Sequence, residues 1–317
     1  MAIRYGNDYV VGIQADSAFD VDPVDLTTGW IYLPDKFEIT GEAPQIIETG
    51  AKDQWIVPYN HTQYAGLKKP MVRISGVLTD THEILLKALT NDTASAYTFT
   101  NVNTVNSYTI IQQFATAEAN KVTGCVLETM TIRGEAGGMI TYEATFRGGT
   151  VTRESTDTYT AQAVPDLKPF LFQNMAGISL VDAAITNMNS FELTFTRSFP
   201  DDKFMFQNSQ TWTAAYQCGI TGQLKCSYIY DSSNDANLHG TNFVNQTMSE
   251  NTFYFKDASG TSYEKWLMAF YGQYVDYSLP DPDRCIFEGS FMCNLLYNGT
   301  NEPFTVTIST IDINNIT

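Results

Sequence analysis

The sequence predicts a mainly β protein built from two tandem β-sandwich or barrel-forming modules, each with a flanking helix. Three observations lead there. Short runs of β-branched and aromatic residues alternate with Thr, Ser and Glu between Gly, Asn and Pro clusters, the pattern of strands with one buried face. At 317 residues the chain is long enough for two domains of about 100–200 residues each. Four runs of the first half also return in the second: residues 36–40 are echoed by 190–194, 72–78 by 218–224, 124–127 by 284–287 and 141–146 by 303–308. The offsets, 154, 146, 160 and 162, are all even, so each side chain keeps its face of the strand. One module used twice divides the chain into residues 1–150, a linker at 151–168 and residues 169–317. Such a repeat suits an assembly, since a catalyst needs only one site.

In the first module strands are expected near residues 8–14, 30–41, 70–79, 96–101, 107–114, 122–133 and 138–148. The glycines at 134, 137 and 138 make a hairpin turn between the last two. Residues 41–69 carry Pro44, Gly50, Pro58 and Gly66 and show no sustained period. Uninterrupted loops of that length are uncommon in compact domains and are usually functional or ordered by a partner. A helix follows Leu78: Asp80 or Thr81 can cap it, Glu83 suits its first turn, and Ile84, Leu85, Ala88 and Leu89 line one face. Residues 149–168 read as the start and body of the linker. The second module places its helix at 263–271, where Trp266, Leu267 and Phe270 recur at helical spacing, and its segment 231–251 has no clear counterpart in the first.

Strand parity separates two faces. One carries Phe37, Ile39, Val72, Ile74, Leu78, Tyr142, Ala144, Phe146, Phe191, Leu193, Phe195, Ile220, Leu224, Phe304, Val306 and Ile308. The other carries Glu38, Thr40, Arg73, Ser75, Thr141, Glu143, Thr145, Glu192, Thr194, Thr221, Gln223, Thr305 and Thr307. That is a sheet with a buried face and a wet, Thr-rich face. A sheet exposed only to bulk solvent would have the same pattern.

Composition and motifs exclude more than they assign. The chain has 35 Asp and Glu against 18 Lys and Arg, a net charge of −17, which disfavours tight binding to nucleic acid or anionic membranes. No run approaches the ~18 apolar residues of a membrane span, and the first ten residues lack the features of a signal peptide, so synthesis and assembly in a cytoplasm are expected. The five cysteines form no Cys-x-x-Cys pair and read as buried free thiols, with a disulfide or metal site as the alternative. His61, His82 and His239 are isolated, and no nucleophile elbow, phosphate loop or dinucleotide turn is present. Asp231, Asn234 and Asp235 lack the twelfth-position Glu of a calcium loop. Neither cofactor, metal site nor catalytic residue is expected.

The order of strands, the helix after Leu78, the long polar loop before it, and the closing hairpin from Cys125 to Phe146 with Arg147, Gly148 and Gly149 behind it resemble the tail tube proteins of long, non-contractile bacteriophage tails. The repeat is similar to tube proteins in which the module is fused to a copy of itself, and the resemblance covers nearly the whole chain. It implies a virion tail protein, assembled in the host cytoplasm, whose modules set four barrel strands each around a sixfold or pseudo-sixfold axis. A two-module chain would then close as a homotrimer, with a homohexamer ring as the alternative, and rings stack into a tube that double-stranded DNA crosses without tight binding. Tape-measure, tail terminator and distal tail proteins are the implied partners. Twenty-four strands at ~4.8 Å spacing and ~40° tilt give a circumference of roughly 150 Å and a lumen of roughly 38 Å, leaving about a Debye length around a duplex. The wet-face residues above then line the channel, where Glu38, Glu143 and Glu192 repel phosphates and Arg73 needs a carboxylate neighbour. The loop with Trp55 and Tyr59 becomes the contact between stacked rings. Two other readings remain: a single-ring tail component such as a terminator or baseplate ring, and a two-domain β-sandwich binding protein.

Overall fold

The computed structural model describes residues 9–23, 31–33, 36–41, 46–48, 63–65, 68–90, 96–98, 105–114, 118–154, 168–180, 183–184, 188–199, 219–229, 243–245, 248–256, 264–278, 288–297, 300 and 302–308. The first half holds β1 (Tyr9–Ala15), β2 (Ile31–Leu33), β3 (Lys36–Thr40), β4 (Ile46–Glu48), β5 (Gln63–Ala65), β6 (Met71–Val77), α1 (Glu83–Thr90), β7 (Ala96–Thr98), β8 (Tyr108–Phe114), β9 (Glu118–Glu135), β10 (Thr141–Arg147) and β11 (Thr150–Glu154). The second holds β12 (Ala176–Leu180), β13 (Ala183–Ala184), β14 (Met188–Ser198), β15 (Gly219–Ile229), β16 (Ser249–Lys256), β17 (Glu264–Ser278), β18 (Glu288–Leu295) and β19 (Phe304–Ile308). The protein is mainly β, with one short α-helix among the described residues.

All ladders are antiparallel, and the strand order of the first half recurs in the second. β3–β6–β10–β9 form one sheet, and β14–β15–β18–β17 form its counterpart. Behind them β2–β1–β8–β9–β11 is matched by β13–β12–β16–β17–β19. The long strands β9 and β17 each belong to both sheets of their unit. In each, one extra residue interrupts the ladder near the crossing: Glu128 in β9, where Phe146 pairs with Leu127 and Thr145 with Thr129, and Val275 in β17, between Tyr274 and Asp276. A bulge of this kind bends a strand and steepens its twist, which lets one strand pass from one sheet to the next.

Alternation inside the strands explains the core. Val72 and Ile74 on β6, Tyr142, Ala144 and Phe146 on β10, Phe191, Leu193 and Phe195 on β14 and Leu224 on β15 are all buried, as their parity predicts. They belong to one continuous apolar cluster with Phe253, Phe255, Trp266 and Phe270 of the second unit. Helix α1 closes one side with Ile84, Leu85, Ala88 and Leu89 buried. Its approach begins with a 3-10 turn at Asp80–His82 whose cap is Thr79, not Asp80 or Thr81: the Thr79 amide donates to His82 Nδ1 at 3.0 Å.

Several sequence expectations are corrected. The helix expected at 263–271 is part of β17, with Trp266, Met268, Phe270 and Tyr274 buried on one face. Trp266 and Phe270 are four apart and satisfy both periods; pairing with β16 on one edge and β19 on the other decides for the strand. The second unit therefore lacks, among the described residues, the flanking helix expected for it. The polar stretch 41–69 contains a two-stranded ribbon, β4 with β5. The linker starts later than expected, because Thr150–Glu154 is β11, laid against the first part of β9. The second and fourth repeat matches are also displaced. Arg73, matched by sequence to Gly219, has Lys225 as its counterpart by pairing. Residues 303–308, matched by sequence to β10, are β19 and correspond to β11, the pairing counterparts of β9 and β10 being β17 and β18. The third match, 284–287, lies outside the described residues.

The units share a seam. β9 pairs along Thr129–Glu135 with Ser190–Thr196 of β14, so the two four-stranded sheets form one eight-stranded sheet. Phe170, after the linker, exchanges backbone hydrogen bonds with Leu78 and Ile140 of the first unit and sets its ring 5.2 Å from Trp266 and 5.9 Å from Phe255 of the second. Gly134 lies where a Cβ would stand 2.5 Å from the Phe191 ring and 2.9 Å from Phe172. Gly134→Ala should therefore cost about 1–3 kcal/mol by overpacking, read as a lowered thermal midpoint; an unchanged midpoint would show the seam to be loose.

Candidate functional site

The feature that combines both units is the exposed side of the eight-stranded sheet. Register places its side chains in rows, one of which crosses all eight strands and two of which cross six. One row runs Lys36, Ser75, Glu143, Thr131, Thr194, Gln223, Asn294, Gln273. A second runs Thr141, Arg133, Glu192, Lys225, Met292, Asp276, and a third Glu38, Arg73, Thr145, Thr129, Thr196, Thr221. Neighbours in these rows are within reach of one another, so the polar groups bond along the wall.

The bonds are specific. Arg73 Nη2 donates to Glu143 Oε2 at 2.6 Å, and Arg133 Nε to Glu192 Oε2 at 2.7 Å. Lys225 Nζ stands 3.7 Å from the other Glu192 oxygen. Gln223 Nε2 donates to Asn294 Oδ1 at 3.1 Å, the Thr131 and Thr194 hydroxyls meet at 3.4 Å, and serine pairs 190–227 and 278–290 at 2.8 and 2.7 Å. The hydrogen bond to Glu143 raises the Arg73 pKa above its ordinary value, so that cation stays charged. At the rim the bulge residue Glu128 pairs with Arg147 at 2.7 Å with both largely covered.

Of the residues expected on the wet face, Glu38, Thr40, Arg73, Ser75, Thr141, Glu143, Thr145, Glu192, Thr194, Thr221 and Gln223 lie on this side of the sheet, as their registers place them. Arg73 has the carboxylate neighbour it needs. Thr305 and Thr307 lie elsewhere, on β19 in the second sheet, opposite Ala269 and Leu267 of β17. Trp55 and Tyr59 fall outside the described residues.

Sequence reading missed the cations. Arg133 and Lys225 share the parity of Thr131 and Gln223, which was the available signal, but what they pair with depends on the β9–β14 and β14–β15 registers. With them, the face approaches balance: Lys36, Arg73, Arg133 and Lys225 interleave with Glu38, Glu135, Glu143, Glu192 and Asp276. The net charge of −17 is therefore carried mostly by other parts of the chain. No group of three or more His, Cys, Asp or Glu suited to a metal occurs among the described residues. Cys125, Cys226 and Cys293 are buried free thiols, and burial pushes all three thiol pKa values up, that of Cys293 to about 12.

A family model described as phage tail tube protein matches residues 58–249, from the stretch before β5 through the seam to the start of β16. The chain belongs to the phage tail tube protein family. No curated protein matches it. The match spans both units, so the seam itself lies inside the tail tube region. Tail tube proteins are structural components, and membership of the family places the protein in a virion tail.

Proposed function

We propose that this tail tube chain is a duplicated tube module, that three copies close into a pseudo-sixfold ring, and that stacked rings form the channel through which viral DNA leaves the particle. The observation that carries the reading is the recurrence of every pairing within the first unit's two sheets in the second, bulge included. The eight-stranded sheet has two ends. At one, β3 pairs only with β6 among the described strands; at the other, the last part of β17 pairs only with β18. Edges of this kind invite another strand. Joining β17 of one copy to β3 of the next repeats the β9–β14 seam, and three copies supply the twenty-four strands of the ring estimated above.

The seam supplies a register. Thr131 is three residues past the bulge at Glu128, as Ser278 is past Val275. Glu38 faces Arg73 on the next strand as Glu192 faces Lys225, so Thr40 stands where Thr194 does. The Thr131–Thr194 pair then becomes Ser278 of one copy opposite Thr40 of the next. A chain carrying both Thr40→Cys and Ser278→Cys should oxidise into a covalent trimer on a non-reducing gel, because opposed Cβ atoms on antiparallel strands lie ~4.5–5.5 Å apart. Dimers or hexamers would replace the threefold ring, and monomer alone would remove the edge pairing. Along the axis, the rim loops are where rings meet each other and the tape-measure, terminator and distal proteins. The duplex passes a wet wall on which Arg73, Arg133 and Lys225 are paired with carboxylates and, among the described residues, no exposed aromatic platform of the kind a binding module would offer is present. Assembly takes place in the host cytoplasm.

A further inference from the structure

The seam between the units contains a second strand exchange away from the polar wall. β7 of the first unit lies along β19 of the second, with Thr98 opposite Thr305, Tyr97 opposite Val306 and Ala96 opposite Thr307. The first unit thus lends a strand to the back sheet of its neighbour. β19 is the counterpart of β11, since each flanks the first part of its unit's long strand. Carrying the seam round by one unit puts β11 of one copy where β19 stands, beside the second unit of the preceding copy.

The local chemistry of β11 fits an edge that offers the backbone of Thr152, the middle of the same three positions. Thr150 corresponds to Phe304, which β7 does not pair. Its amide turns away from β9 to Asp20 Oδ1 at 3.1 Å, and its hydroxyl donates to Asp20 Oδ2 at 2.8 Å. Asp20 sits at φ 57° to make these contacts, and a Cβ on Gly149 would stand 2.5 Å from its carboxylate. One end of the edge is thereby closed by a side chain. Amides alternate in direction along an antiparallel strand, so the Thr152 amide points the same way as that of Thr150, beyond the reach of Asp20's contacts with Thr150. Residues 151–153, the counterparts of Thr305–Thr307, pair among the described strands with β9 alone.

We propose that the outer edge of β11 at residues 151–153 is a strand-accepting surface for a second copy of this chain, the inter-copy equivalent of the β7–β19 pairing. The donor is the second unit of the preceding copy, by the same chain order that makes β7 the donor between β6 and β8. This interface is separate from the β17–β3 contact and rests on the ring reading of the previous subsection. Two strand pairings at each junction, one in each sheet, would hold both layers of the wall.

The test uses the full chain. Amide hydrogen exchange is measured on the dispersed protein and on its assemblies, and Thr152→Pro is compared with Thr152→Ala by electron microscopy. The Thr152 amide should exchange at least about tenfold more slowly in assemblies than in dispersed chains. Thr152→Pro should fold, because its amide does not serve the β9 ladder, yet assemble poorly, while Thr152→Ala assembles normally. Assemblies in which Thr152 exchanges as freely as in dispersed chains overturn the β11 interface and leave the ring reading intact. Proline chains assembling like the parent do the same. Chains that never associate overturn both. If the proline chain does not fold, exchange on the parent protein decides.

Discussion

Arg197→Met should destabilise the folded chain by about 3 kcal/mol or more, read as a lowered urea midpoint. Arg197 projects from β14 of the second unit and is 3% exposed. Its Nη1 donates to the carbonyls of Ala88 and Leu127 at 3.3 Å, and its Nη2 to that of Leu89 at 2.6 Å. Ala88 and Leu89 are in the last turn of α1, where helix carbonyls lack partners within the helix and the dipole favours a cation. One side chain of the second unit therefore caps the only described helix of the first. Burial lowers the guanidinium pKa to about 10, which still leaves it charged at neutral pH. Methionine keeps the apolar stem and removes a desolvated charge with an unpartnered Nε, so the loss read is that of the three carbonyls, each costing ~1–3 kcal/mol when buried without a donor, less that relief. A midpoint shift equivalent to less than about 0.5 kcal/mol would show that the carbonyls find other donors.

If the polar wall lines the proposed DNA channel, the double variant Glu143→Lys, Glu192→Lys should make tubes that hold DNA where the parent's do not. Both glutamates are wall residues, and each balances a cation: Glu143 pairs with Arg73, Glu192 with Arg133 and Lys225. The substitutions add roughly four positive units per chain and release the three cations at once. A cation-lined channel binds phosphates with a steep salt dependence, so retention should be strong at ~50 mM salt and fall sharply by ~200 mM. Binding of double-stranded DNA to purified tubes, with tube integrity checked by microscopy, measures it. Intact variant tubes that retain no more DNA than the parent would remove the wall from the channel. On this wall Glu143 and Glu192 act as counter-ions to Arg73, Arg133 and Lys225, so that these three cations are not left alone for a phosphate to find.

Much of this was legible in the residues themselves. The parity of Phe191, Leu193 and Phe195 or of Val72 and Ile74 needs no partner strand to be read, because the strand period alone assigns faces. The α1 face was legible for the same reason. Trp266 to Phe270 was not, since a spacing of four fits helix and strand alike and only β16 and β19 on either edge resolve it. Beyond its first strand the repeat was misplaced because apolar alternation is degenerate. A run such as 303–308 resembles any strand of like parity, and its place beside β17 is a matter of pairing.

The sequence by itself determined that the chain is mainly β and which face is wet on strands such as β3, β6, β10 and β14. These follow from composition and a period of two, which are local. Tertiary structure decided how the strands are ordered, where the bulges at Glu128 and Val275 send β9 and β17, and that the two units share one eight-stranded sheet. It also decided that Arg73, Arg133 and Lys225 are paired and that Arg197 caps a helix on the other unit. Each of these depends on register between residues distant in the chain, where sliding a strand by two residues preserves every local preference and changes every partner.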